Sequence, residues 1–301
     1  MSTTSMALSR AAFFTLLFTA CLFGANHVAA RLAFNHGLDV ASAVAVRSLA
    51  TALVVGFIVW QQRVPRVLSG RQRGFLLLIG MLVAVQSLCL YAAVARLPVA
   101  LALLTFNTYP LWTALFAWLF YRHRPERAVL LAMPVLLAGL ALALDALGAA
   151  SGLGAAGQWS RIGAGVAFAM VAAAVFGAAL VFTQHEAASV DGRLRTTLTM
   201  GLVGLLALLA VQLQGGFHLP TAPAGWWGLA GLPLFYGTAF TIMFTLLPRL
   251  GVVGSSPIMN VEPVAALVMA WALLGQTIAT VQVVGALIVV GTVMALGLRK
   301  R

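Results

Sequence analysis

Apolar residues run through this chain in long blocks, and the polar residues gather between them. A membrane-spanning helix needs about 20 mainly apolar residues. Ten stretches meet that requirement: Ala12–Leu32, Ala41–Trp60, Gly74–Ala95, Val99–Tyr121, Ala128–Leu147, Ile162–Phe182, Thr196–Leu213, Trp226–Leu247, Val252–Leu274 and Ile278–Leu298. The connections Arg96–Pro98 and Gly275–Thr277 are so short that they demand tight helical hairpins. The pattern predicts an all-α polytopic membrane protein with ten transmembrane helices.

Composition agrees. Of 301 residues, 62% are hydrophobic and only 8% are charged, with a mean hydropathy of +1.03. A soluble domain is about half apolar and about a quarter charged. So little charge cannot cover a water-facing surface, which excludes a secreted, nucleic-acid-binding or ordinary cytosolic globular protein. The net charge of +12 reflects topology, because the basic residues sit at the ends of apolar stretches. Fourteen of the 18 fall in one alternating set of segments, only Arg96 and Arg161 fall in the other, and Arg31 and Arg47 lie within spans. The positive-inside rule then puts both termini in the cytoplasm. Cys21 and Cys89 lie inside apolar stretches and read as small core residues. The first span has the basic flank and small-residue run of a signal peptide. It is read as retained, because it belongs to an internal repeat.

A shift of 153 residues lays the sequence on itself: Phe23-Gly24-Ala25 on Phe176-Gly177-Ala178, Arg96-Leu97 on Arg249-Leu250, Val99 on Val252, Asn107 on Asn260, Pro110 on Pro263 and Ala117-Trp118 on Ala270-Trp271. Each unit holds five spans, so the second copy enters the membrane with opposite orientation. The expected organisation is a first repeat over 12–147, a Gly- and Ala-rich linker over 148–161 and a second, inverted repeat over 162–298. Inverted repeats are a recurring plan of secondary transporters, with the substrate site near the midplane between them.

The polar residues inside spans are the candidates for function. Pro110 and Pro263 lack an amide hydrogen, so the carbonyls of Phe106 and Met259 lose their helical partners. Such carbonyls either bind a polar substrate or let the helix bend. Glu262 is the one acidic residue near the centre of a span, where a carboxylate costs about 3 kcal/mol. It meets a substrate amine, carries a coupling proton or makes a structural hydrogen bond. Asn107, Asn260 and Tyr109 share those turns. Asn260 and Glu262 are about 200° apart on a regular helix, so they do not both face one cavity. The asparagines read first as interhelical hydrogen bonders.

Asn26 and His27 place one polar group toward the interior of the first span, with Asn26 the preferred cavity residue. Arg47 lies about 9 Å from the outer end of its span. It either attracts a substrate carboxylate or, as the commoner fate, snorkels or joins an ion pair. Arg31 is expected to snorkel, and Asp145, near an outer helix end, is a candidate partner for either arginine but reads first as solvated. Gln86, Tyr91, Tyr236, Thr238 and Thr241 carry polar tips. Tyr91, Tyr109, Trp112, Tyr236 and Trp271 offer stacking surfaces, or simply pack. Trp60, Trp159, Trp226 and Trp227 read as interfacial belts. His185-Glu186 lacks the second histidine of a zinc protease helix and reads as a solvated helix end.

The chain resembles the EamA family of the drug/metabolite transporter superfamily. Leu22-Phe23-Gly24-Ala25-Asn26 is similar to the family's first-span pattern. Residues 93–100 are similar to its third-to-fourth hairpin, and Asn107-Thr108-Tyr109-Pro110 and Asn260-Val261-Glu262-Pro263 to its fourth and ninth spans. The chain departs from the family at Phe23, where Trp is frequent, and at His123 and Gln276, where Glu is frequent. The resemblance implies a bacterial inner-membrane carrier working by alternating access. It exports small metabolites, amino acids of aromatic or neutral type being the preferred class, with a possible coupling proton and no cofactor or metal. Nucleotide sugars, nucleosides and drugs are the alternative cargoes. A monomer and a homodimer are equally compatible with the sequence. An intramembrane enzyme would need paired catalytic groups that the spans lack, and a channel differs from a carrier only in its lack of saturable exchange. No Walker motif is present, so ATP does not drive transport directly.

Overall fold

The computed structural model describes residues 10–123, 127–243, 261–277 and 279–299. Their regular structure is helical throughout: α1 Arg10–Phe34, α2 Val40–Gln61, α3 Gly70–Arg96, α4 Val99–Phe106, α5 Tyr109–Tyr121, α6 Arg127–Ala143, α7 Gly154–Glu186, α8 Gly192–Leu213, α9 Pro223–Thr241, α10 Glu262–Leu274 and α11 Thr280–Arg299. Among the described residues, six stretches are long and apolar enough to cross a membrane: Ala11–Phe34, Val40–Gln61, Gly70–Arg96, Val99–Tyr121, Gly154–Glu186 and Gly192–Leu213. Shorter apolar helices lie within α6, α10 and α11. The end of the eighth predicted span and the start of the ninth, with Arg249, Leu250, Val252, Met259 and Asn260, lie outside the described residues.

Side-chain oxygens set several helix starts. Asp39 accepts from the Ser42 amide at 2.9 Å before α2, and Asp191 accepts from the Arg193 amide at 2.8 Å before α8. Ser69 and Gln72 form a reciprocal capping box at the start of α3. Each satisfies amides that the first helical turn leaves unpaired.

Two details differ from the sequence expectation. The fourth span breaks at Asn107–Thr108 into α4 and α5, with Pro110 in the first turn of α5, where its missing amide hydrogen is harmless. And α7 starts at Gly154, so the second half of the predicted 148–161 linker is helix. No proline or β-branched residue interrupts Gly154–Ser160, so nothing stops the helix from extending that way.

The repeat is visible in backbone detail. Arg122 closes α5 in the left-handed conformation at φ +58°, and Gly275 closes α10 at φ +63°, 153 residues later. Thr108 and Val261 precede those helices at φ −72° and −74°. Packing partners exchange in the same way. Helix α1 packs on α9 and α10, while its counterpart α7 packs on α3 and α5; α2 packs on α8 and α6 on α11.

Glycines carry these contacts. A Cβ on Gly24 would stand 3.1 Å from the Ala266 amide nitrogen, and one on Gly177 would stand 2.8 Å from that of Thr113. Ala266 and Thr113 are themselves repeat equivalents. On the α6–α11 contact, a Cβ on Gly285 would stand 2.3 Å from the Ala143 nitrogen. Without a hydrophobic drive between helices in lipid, small residues gain dispersion contact by letting backbones approach.

At one end of the bundle, α3, α5 and α7 are tied together. Glu186 accepts from Arg71 Nε and Nη2 at 2.8 and 3.0 Å and from the Tyr121 hydroxyl at 2.7 Å. His185 stacks on Tyr121 with 3.9 Å between ring centroids. The sequence reading of His185-Glu186 as a solvated helix end is therefore corrected for Glu186, whose side chain is 7% exposed and hydrogen-bonded at both oxygens, whereas His185 is exposed. At the other end, Gln276 Oε1 accepts from the Val99 amide at 3.1 Å and joins the α10–α11 hairpin to the start of α4. The turn after α6 holds Asp145 at φ +50°, a conformation Asp tolerates. Its carboxylate accepts from the Ala150 and Ser151 amides at 3.0 and 2.8 Å. It pairs with neither Arg31 nor Arg47, and at 6% exposure it is not the solvated group the sequence suggested.

Two predictions follow from packing and from this turn. Gly177→Val lowers the thermal unfolding midpoint of the protein in detergent, with a cost of about 1–3 kcal/mol from overpacking; an unchanged midpoint contradicts the close approach. The Ala150 amide holds the Asp145 carboxyl below its ordinary range. That stabilisation is present above the ordinary Asp value, about 4, and is lost as pH falls through the lowered value. Asp145→Asn at neutral pH is expected to speed hydrogen exchange of the Ala150 and Ser151 amides several-fold. Wild type matches it only in acid.

Candidate functional site

Three helices bring a cation and two phenols together in the bundle interior. Arg47, on α2, is 3% exposed. Its guanidinium carbon lies 4.6 Å from the ring centroid of Tyr91 on α3 and 4.2 Å from that of Tyr236 on α9. The negative faces of the two rings partly offset the cation's loss of water. Arg47 Nη2 donates to Ser87 Oγ at 2.9 Å, and the Ser87 hydroxyl donates to Gln86 Oε1 at 3.3 Å. Among the described residues no carboxylate lies within ion-pair distance of Arg47. Arg47 thus neither snorkels nor joins an ion pair, as the sequence suggested it would.

Tyr91 links this cation to a second polar group. Its hydroxyl donates to Asn26 Oδ1 at 3.0 Å, and its ring meets that of His27 edge-on at 5.8 Å. His27 Nε2 lies 3.3 Å from Glu262 Oε1. Position along α1 explains the contact: His27 is about one turn beyond Gly24, where a Cβ would stand 3.2 Å from the Glu262 carbonyl oxygen. Glu262 also lies within electrostatic range of Tyr109 and Tyr236. The cluster therefore holds a cation at one side, a carboxylate at the other and aromatic rings between. Asn26 Nδ2, His27 Nδ1, Arg47 Nε and Asn107 Nδ2 are buried without a partner among the described residues. Such orphaned donors cost free energy unless something else meets them.

Other candidates fall elsewhere. Tyr109 packs edge-on against Phe176 at 5.2 Å, and Phe106 lies 5.3 Å from the same ring. Pro110 lies in that turn. Trp112 stacks on Phe116 at 6.3 Å beside the Gly177 contact. Pro263 lines a small apolar hollow between α4, α10 and α11. Thr241 donates back to the Gly237 carbonyl at 2.8 Å. Trp271 is 62% exposed on the outside of the bundle, and Asn260 lies outside the described residues. The belt candidates Trp60, Trp159, Trp226 and Trp227 are all exposed, from 43% to 77%.

Sequence reading missed Ser87 and the packing of Phe23 and Phe240 with Tyr236 into an aromatic wall, with centroids 4.7–5.6 Å apart. Ser87 had a signal: it lies one turn before Tyr91, on the same helix face. No group of three or more His, Cys, Asp or Glu side chains among the described residues could hold a metal ion.

Comparison with known proteins places this architecture. A solved chain described only as "Crystal structure of protein" superposes with a TM-score of 0.63 over 98% of this chain and 100% of its own. At 18% identity that likeness concerns the fold alone. No curated protein matches the sequence. The family model for the EamA-like transporter family matches residues 10–144 and 163–298, one match on each copy of the repeat. With the two matches together covering nearly the whole length, this chain belongs to the EamA-like transporter family and is a membrane transporter of small molecules.

Proposed function

We propose that this transporter is a ten-span secondary carrier with both termini in the cytoplasm. It exports small metabolites, aromatic or neutral amino acids first among them, by alternating access between its two repeats. The observation that carries the cargo assignment is Arg47: a guanidinium buried among apolar helices, close to the faces of two tyrosine rings and without a carboxylate partner among the described residues. Leaving a buried cation unpaired is costly, and a substrate carboxylate would relieve that cost with the planar two-point geometry that arginine favours. Glu262, across Tyr91 and beside His27, is the complementary site for a substrate amine. A zwitterion satisfies both. The aromatic rings between them suit an aromatic or neutral side chain.

The His27–Glu262 pair also supplies the coupling. Glu262 binds either the substrate amine or a proton, so substrate binding and protonation exclude one another at one carboxylate and substrate release permits proton uptake. Falling pH then weakens substrate binding through competition. Gly24 and Gly177, which hold α1 on α10 and α7 on α5, are the contacts about which the repeats rock.

Counterflow in proteoliposomes loaded with Trp, Phe, Thr or Met tests the cargo. Saturable exchange is expected for at least one of them. Arg47→Gln reduces it at least tenfold, equivalent to about 1.4 kcal/mol. Arg47→Lys falls between, since it keeps the charge and loses the paired N–H donors of the guanidinium. Full exchange by a folded Arg47→Gln protein removes the carboxylate anchor. In a separate pH series, the apparent affinity of the wild type falls as pH drops, whereas that of Glu262→Gln is weak and flat. A pH dependence retained in Glu262→Gln contradicts the coupling role.

A further inference from the structure

Far from the Arg47 cluster, a second polar cavity opens at one end of the bundle. Its volume is about 370 Å³, and Arg31, Arg96, Arg161, Asp145, Gln158 and Gln276 line it. It lies where α1 ends, the α3–α4 hairpin turns, α7 begins and the α10–α11 hairpin closes. The arginine bias assigns this end to the outside, so the cavity's outward placement rests on the orientation proposed above; its chemistry does not.

Acceptors in this cavity are already committed. Asp145 is the one acid in the lining, and its two oxygens are taken by the Ala150 and Ser151 amides. The Gln276 side-chain oxygen is taken by the Val99 amide. Donors are in excess. Arg31 uses Nη1 on the Val94 and Leu97 carbonyls at 2.8 and 3.4 Å, and its Nε is buried without a partner among the described residues. Arg96 uses Nη1 on the Ala92 carbonyl at 2.9 Å, with its guanidinium carbon 4.8 Å from the Phe168 ring. Arg161 makes no hydrogen bond or ion pair with any described residue. Three guanidinium groups facing one engaged carboxylate leave a net positive hollow.

The placement of these arginines argues in the same direction. Arginine on the outer side works against the topological signal carried by the other basic residues. Yet the two arginines of that side, with Arg31, converge on a single cavity. Arg31 and Arg96 each spend one donor on the last carbonyls of α3, where a cation favours the helix end. Their remaining N–H groups have no such duty.

We propose that this cavity is an oxyanion-binding vestibule, taking a carboxylate or phosphate group through Arg31, Arg96 and Arg161. Planar guanidinium groups match both oxyanions by paired N–H donors. The group comes either from a soluble anion or from the headgroup of an anionic lipid, and the test separates the two.

The full-length protein is purified in neutral detergent, and its thermal unfolding midpoint is followed against inorganic phosphate or short-chain phosphatidylglycerol. Sodium chloride at matched ionic strength and short-chain phosphatidylcholine are the controls. A saturable rise beyond the controls is expected. Its half-saturation concentration should increase at least tenfold in Arg161→Gln and in Arg96→Gln. Both side chains are exposed, so both variants should fold; Arg66→Gln, outside the cavity, should bind as wild type. A response to phosphate assigns a soluble anion, and a response to phosphatidylglycerol alone assigns a lipid headgroup. A rise that tracks ionic strength, or one that survives both substitutions, overturns the vestibule. Arg47→Gln should leave the response intact, so failure of the central site and failure of this one are told apart.

Discussion

Backbone-to-backbone contact at Gly24 and Gly177 is the constraint on which the rest of this structure depends. Lipid offers helices no hydrophobic reason to associate, so they hold together through dispersion and hydrogen bonding at short range. Gly24 lets α1 touch the first turns of α10, and Gly177 lets α7 touch α5. Because the two contacts are repeat equivalents, one geometric solution is used twice. The first also has a chemical consequence: with α1 seated there, His27 meets Glu262 one turn away. A side chain on Gly24 would displace the titratable pair as well as the helix.

The two copies are alike in backbone and unlike in chemistry. Arg122 and Gly275 end equivalent helices in the same left-handed conformation. Asn26, His27 and Arg47, however, correspond to Ala179, Leu180 and Met200, and Tyr109 corresponds to Glu262. The polar groups of the central cluster are thus concentrated on one side of the pseudo-symmetry. A two-fold scaffold supplies interchangeable conformations, whereas an asymmetric lining supplies recognition. This division is common where a site sits between repeats.

Electrostatics in the interior follows from low dielectric and few partners. Arg47 is accommodated by ring faces and a hydroxyl, and none of these removes its charge. At the bundle ends, by contrast, carboxylates are met by donors: Glu186 by Arg71 and Tyr121, Asp39 by Ser42, Gln214 and His218, Asp191 by Arg193. The contrast separates groups that hold the bundle closed from groups left available to a ligand.

The sequence by itself determined that this chain is helical and membrane-embedded, that it is a duplicated unit, and roughly where most helices begin. These are properties of composition and period, which local physics fixes: about 20 apolar residues must span, and prolines and caps must punctuate. It also singled out Asn26, His27, Arg47, Tyr91, Tyr236 and Glu262, because polar groups in apolar runs are rare enough to stand out. Which of them meet was decided only by tertiary structure. Arg47, Tyr91 and Tyr236 come from α2, α3 and α9, and no spacing along the chain encodes the distance between helices. Packing also turned Trp271 outward and engaged Asp145 with its own turn instead of an arginine. Each outcome depends on which neighbour occupies the adjoining space, and that is a property of the folded bundle.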